Sequence, residues 1–112
     1  MKIELTELEL FEELAEKLRF NIVKNLKDCL KDTNLSDDDK ESICGEFLSE
    51  FCVDLDQGEW DNSGTYYRPV VGFIKSKSLQ IWDDDTTLIA PYEAYHHHDK
   101  VWEEIEDIYE DS

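Results

Sequence analysis

Basic residues are scarce in this chain. Eleven Lys and Arg stand against 29 Asp and Glu among 112 residues, a formal net charge of -18. A surface of that sign repels nucleic-acid phosphates and anionic membranes, and attracts basic proteins over a Debye length of about 8 Å at physiological salt. Direct binding of nucleic acid or of a membrane surface is therefore disfavoured, and a basic protein is the expected partner. Glycine is limited to four residues, with no glycine-rich phosphate loop and no G-x-S-x-G nucleophile turn. Apolar runs do not exceed three residues, so no segment is long enough to span a bilayer. The three cysteines, Cys29, Cys44 and Cys52, include no C-x-x-C pair, and the opening MKIELTELELF has glutamates where a signal peptide needs an apolar stretch. These features point to reduced thiols in a cytoplasmic protein.

What is present is enough to fold. Hydrophobic residues make up 40% of the chain and aromatics 12%, which separates it from disordered acidic segments, and its length suits one domain spanning residues 1–112. From Leu5 to about Asp32, the apolar residues Leu8, Phe11, Ala15, Leu18, Ile22, Leu26 and Cys29 recur at intervals of three and four, one face of a long helix. Leu10, Leu14, Phe20, Val23 and Leu30 widen that stripe, implying burial on two sides or a break near Phe20 and Asn21. Ser36 is a good N-cap, followed by Asp37, Asp38 and Asp39 against the positive end of a second helix dipole. Ile43, Phe47 and Phe51 run down that helix beside Cys44, Leu48, Cys52 and Leu55, so it is expected to end near Asp54. Residues 65–90 change to short β-branched and aromatic runs, read as strands at about 67–75, 79–83 and 86–90. Helical spacing returns from about Glu93 to Asp111, with Val101, Trp102, Ile105, Ile108 and Tyr109 on one face. The expected fold is α+β: two N-terminal helices, a small antiparallel sheet of two or three strands, and a C-terminal helix packed on it.

The catalytic and metal-binding patterns fail residue by residue. Counted from Asp54, DLDQGEWDNSGT has glycine fifth rather than sixth and Thr65 rather than glutamate twelfth, so it is not an EF-hand loop. An irregular oxygen cage from Asp54, Asp56, Asp61 and Asn62 is the remaining calcium arrangement. The run His96, His97, His98 lacks an i, i+4 partner, because position 100 is Lys and position 102 is Trp. It reads as the beginning of the last helix. Cys44 and Cys52 lie among apolar neighbours, where burial raises a thiol pKa and lowers its reactivity. The expectation is a protein that is not an enzyme and has no metal or cofactor.

The distribution of acid carries the functional reading. Residues 1–32 hold 8 acids and 6 bases, residues 33–64 hold 10 and 1, and residues 65–112 hold 11 and 4. The segment from about Val53 to Tyr66 is expected to be a loop, longer than the usual connection of about four to six residues. It combines Asp54, Asp56, Glu59 and Asp61 with Trp60, Tyr66 and Tyr67, charges that steer a basic partner beside the residue types enriched at interface hot spots. On the last helix, Asp99, Glu103, Glu106 and Glu110 follow spacings of four, three and four along one face. The primary expectation is a cytoplasmic protein inhibitor, an immunity protein covering the active site of a basic toxin domain such as a nuclease. The alternatives are a DNA mimic of anti-defence type, whose acidic stripe replaces a phosphate row, and an acidic adaptor or structural module without inhibitory action.

Overall fold

A computed structural model describes residues 1–75 and 86–110. In chain order the elements are β1 (Lys2–Thr6), α1 (Leu8–Leu30), α2 (Asp37–Gln57), β2 (Trp60–Asn62), β3 (Thr65–Tyr67), β4 (Phe73–Lys75), β5 (Thr87–Pro91), a 3-10 turn (His97–Lys100) and α3 (Val101–Glu110). The α+β class stands, with two N-terminal helices, small sheets of two and three strands, and a C-terminal helix. The strand expected at 79–83 lies outside the described residues. No helix among those described is long and apolar enough to cross a membrane.

The chain opens with a strand, whereas the helical stripe alone had placed helix from Leu5. Residues 2–6 alternate charged and apolar side chains up to Thr6, and their backbone pairs in parallel with β5, from Lys2 opposite Thr87 to Thr6 opposite Pro91. The Lys2 N–H donates to the Thr86 carbonyl at 2.8 Å, and Tyr92 N–H donates to Thr6 at 3.3 Å. Those inter-strand bonds withdraw residues 2–6 from an intrahelical ladder. The extended Glu7, at φ -61 and ψ 150, then turns the chain into α1. On its other edge β5 pairs antiparallel with β4, giving the order β1-β5-β4 and a mixed sheet. Phe11 of α1 reaches Phe73 of β4 edge to face, with ring centroids 5.3 Å apart, and so seats the first turns of α1 against the sheet.

α1 runs unbroken past Phe20 and Asn21 and buries Phe11, Ala15, Arg19 and Val23. Ser36 caps α2 as its sequence predicts, its Oγ accepting from the Asp39 N–H at 3.1 Å. α2 continues three residues past the expected end at Asp54. Gly58 closes it: its N–H donates to the Asp54 carbonyl at 2.8 Å, and a Cβ at position 58 would stand 2.3 Å from that same oxygen. The principal core joins Val23 of α1, Cys44, Leu48 and Cys52 of α2, and Val101 and Ile105 of α3. α3 therefore packs against the two N-terminal helices, with Ile22, Leu26 and Ile108 closing the edges of this cluster. Burial pushes the Cys52 thiol up to about 11, which suits a packing role.

Two approaches set the geometry of this helical layer. Trp102 lies across Gly45, where an added Cβ would be 2.1 Å from the indole ring. The second is the beginning of α3, displaced from Glu93 to Val101 for a reason found in Asp56, described below. Gly45→Ala forces the indole off α2, and overpacking of this kind costs about 1–3 kcal/mol. Chemical denaturation should show that loss, while Ser42→Ala at an exposed position of the same helix should leave stability near that of the parent.

Candidate functional site

The segment expected as an irregular loop is the end of α2 followed by a β-hairpin. β2 and β3 pair antiparallel, Trp60 with Tyr67, Asp61 with Tyr66 and Asn62 with Thr65. The two-residue connection Ser63-Gly64 has positive φ at both positions, 54° and 87°, the backbone hand that matches strand twist in tight hairpins. Asp61 Oδ1 accepts from the Gly64 N–H at 2.8 Å and holds this turn. The flanking aromatics and the Ser-Gly pair carry the local signal of this hairpin. Asp54 and Asp56 lie on α2 and Asp61 at the turn, so the oxygen cage considered for calcium is not gathered.

The hairpin leaves its aromatics in solvent: Trp60 is 55% exposed, Tyr66 65% and Tyr67 55%. Asp54, Glu59 and Asp61 are exposed with them. α2 adds a second aromatic patch that the sequence pattern left unassigned. Cys44, Leu48 and Cys52 turn inward, while Ile43, Phe47 and Phe51, one residue behind each, face out; the rings of Phe47 and Phe51 stack with centroids 5.9 Å apart and planes 10° apart. Two adjacent i, i+4 ridges cannot both point at one neighbouring helix pair, and the aromatic ridge is the one left outside. Glu103, Glu106 and Glu110 are exposed on α3, a separate element, in the stripe expected for them.

Asp56 departs from its expected role as an exposed bait. Its carboxylate is 1% exposed and accepts the His97 N–H at 2.8 Å on Oδ1 and the His98 N–H at 2.9 Å on Oδ2; Oδ2 also meets His98 Nδ1. Asp56 is thus an N-cap supplied by another helix: residues 93–96 contain no Ser, Thr, Asn or Asp, and the orphan amides at the start of the last helical segment find an acceptor on α2. This explains why helical structure begins at His97 and not at Glu93.

Behind that cap lies a polar network that composition and spacing did not reveal. Arg19, 2% exposed, donates from Nε to Glu104 Oε1 at 2.5 Å, from Nη2 to Glu104 Oε2 at 3.0 Å and Glu12 Oε1 at 3.3 Å, and from Nη1 to Tyr95 Oη at 3.0 Å. Tyr95 Oη also donates to Glu12, and Lys100 Nζ lies 2.9 Å from Glu12 Oε1. Burial works against the Arg19 charge, but the bonds from Glu104 and Tyr95 prevail and hold it firmly protonated. Burial raises the Glu104 carboxyl above its ordinary value against the opposing guanidinium. For Glu12, burial is overcome by the Tyr95 and Lys100 hydrogen bonds and the Arg19 charge, which leave its carboxyl below the usual value. Arg19 stands on the buried face of α1 between Ala15 and Val23, a place that the apolar spacing by itself does not mark as charged. Next to it His97 is buried, with its pKa lowered by desolvation and its Nδ1 without a partner. A cleft of about 290 Å³ opens beside His97, lined also by Phe11, Asp56, Arg68 and Tyr95.

The network has no open nucleophile and reads as an internal tie. Arg19→Met strands Glu104 as an unpaired buried charge, and loss of one partner of such a pair costs about 3–5 kcal/mol. Adding Glu104→Leu to that variant should recover most of the stability in urea titration. A double variant as unstable as the single one would contradict the tie.

No protein-family model, curated protein or solved structure matches the chain, and its functional reading rests on its own side chains.

Proposed function

We propose that this protein is an inhibitor of a basic protein, an immunity-type partner that covers the active site of a toxin domain such as a nuclease. The observation that carries the reading is the exposed aromatic hairpin, with Trp60, Tyr66 and Tyr67 in solvent among Asp54, Glu59 and Asp61 on a chain of net charge -18. Large aromatic side chains displayed together in solvent offer apolar area to a partner; each buries roughly 150–250 Å² when it is covered. The stacked Phe47 and Phe51 extend the same argument onto α2. Acids around such anchors raise the association rate with a cationic surface and penalise acidic competitors. Asp56 supports this reading only indirectly, by fixing where the last helical segment begins.

The test is a binding and inhibition series against basic nuclease and toxin domains, beginning with any that co-purify from source cells at both low and high salt. Trp60→Ala should weaken a one-to-one complex by at least 30-fold, the scale of a hot-spot loss of about 2 kcal/mol. Reversing Glu59 and Asp61 to Lys should slow association with little change in dissociation. Inhibition unaffected by both changes would remove the hairpin from the interface.

A second reading, mimicry of DNA, is favoured by one feature: Glu103, Glu106 and Glu110 stand exposed along α3, one helical turn of about 5.4 Å at a time. It requires competition with duplex DNA for a single partner. Replacing the three glutamates by Gln should then abolish binding and flatten its salt dependence, whereas an inhibitor seated through the hairpin should keep most of its affinity.

A further inference from the structure

The three consecutive histidines fail the i, i+4 spacing of a helical metal pair, but the backbone they occupy is not α-helical. His96 is extended at φ -105 and ψ 94, and His97–Lys100 form a 3-10 turn. His97 turns into the protein, while His96 is exposed and His98 half-buried, their ring centroids 6.1 Å apart and their planes nearly perpendicular. α2 brings Asp56 to the same place. One ligand-type atom from each of Asp56, His96 and His98 lies within 4.8 Å of the others.

We propose that Asp56, His96 and His98 form a binding site for a divalent transition ion of the zinc class, with one coordination position open to solvent. Two imidazoles and a carboxylate are a donor set that suits zinc, and three protein ligands leave the fourth tetrahedral position free. Bonds of about 2.0–2.2 Å place tetrahedral ligand atoms roughly 3.3 Å apart. Asp56 Oδ2 and His98 Nδ1 are already in direct contact, so ligation parts that pair and draws the exposed His96 ring toward it.

The surroundings are those of held ligands. The Asp56 carboxylate is fixed by the amide N–H groups of His97 and His98, which leaves further lone pairs for a cation. His98 Nε2 lies 3.3 Å from Asp99 Oδ1. A carboxylate on that nitrogen favours the tautomer with the proton on Nε2 and the lone pair on Nδ1, the nitrogen that faces Asp56. The ion takes the Nδ1 lone pair and an Asp56 oxygen, and a proton held between these two atoms leaves to solvent on binding. Ligation would also clamp the last residues of α2 to the segment entering α3, adding to the hydrogen bonds that already join them there.

The experiment uses tag-free protein in a Cys29→Ser background, which removes the exposed thiol as a competing ligand. Zinc is titrated in competition with a chromophoric chelator, and cobalt is added separately to read coordination geometry from its visible spectrum. The expected result is one equivalent bound, a tetrahedral cobalt spectrum, and at least a 10-fold loss of affinity in each of His96→Ala and His98→Ala. Asp99→Asn should weaken binding by about 10-fold, the lower end of outer-shell effects. His96 is exposed, so its variant keeps the fold, which circular dichroism verifies. No stoichiometric binding, or binding that survives in the His96→Ala/His98→Ala double variant through the many surface carboxylates, overturns the site. Unchanged affinity in Asp99→Asn overturns the orienting role of that residue.

Discussion

A single guanidinium, that of Arg19, governs how the parts of this protein meet. It occupies the position in the buried stripe of α1 where a third apolar residue would continue Phe11 and Ala15 toward Val23. A charge in that place is tolerable only if its donors are satisfied by protein, and they are: Glu104 comes from α3, Tyr95 from the segment before it and Glu12 from two helical turns earlier in α1. The requirement is directional where hydrophobic contact is not. The C-terminal third of the chain must therefore approach α1 in one register, with Ile105 beside Glu104 delivered to the apolar cluster.

Asp56 imposes a comparable constraint on the other side. Its buried carboxylate gives the first amides of the last helical segment their acceptor, and thereby determines which residue opens that segment. Trp102 across Gly45 completes the docking of α3 on α2. Together these contacts turn acids that look like generic surface charge into internal fittings, while the remaining carboxylates stay outside. The protein's excess negative charge thus has two populations with different physics: a few desolvated groups that hold elements in place, and a large exposed set that shapes the field around the protein.

The exposed aromatics belong with that second population. A tight hairpin holds Trp60 opposite Tyr67 and Asp61 opposite Tyr66, so aromatic and acidic groups are displayed by paired backbone and do not depend on an unstructured loop. Such a display loses less conformational freedom on binding than a mobile segment of the same composition, which favours tight association for a given area. On α2, the outward ridge of Phe47 and Phe51 offers the same chemistry from a rigid helix.

The sequence by itself determined the elements whose signals are local. Apolar spacing in α1 and α2, the Ser36 cap with its acidic first turn, and the strand-forming run at 87–91 depend on neighbours a few residues away. Gly58 and the Ser-Gly turn are equally local in origin. Only the tertiary structure decided the rest. The parallel pairing of residues 2–6 with β5 joins segments more than eighty residues apart, and no local period encodes that choice. Burial of Arg19, the capping role of Asp56, and the outward turn of Phe47 and Phe51 were settled by which surfaces the helices present to each other. A charged or aromatic side chain carries the same local propensity whether buried or exposed, and its role follows from the partner that the fold brings to it.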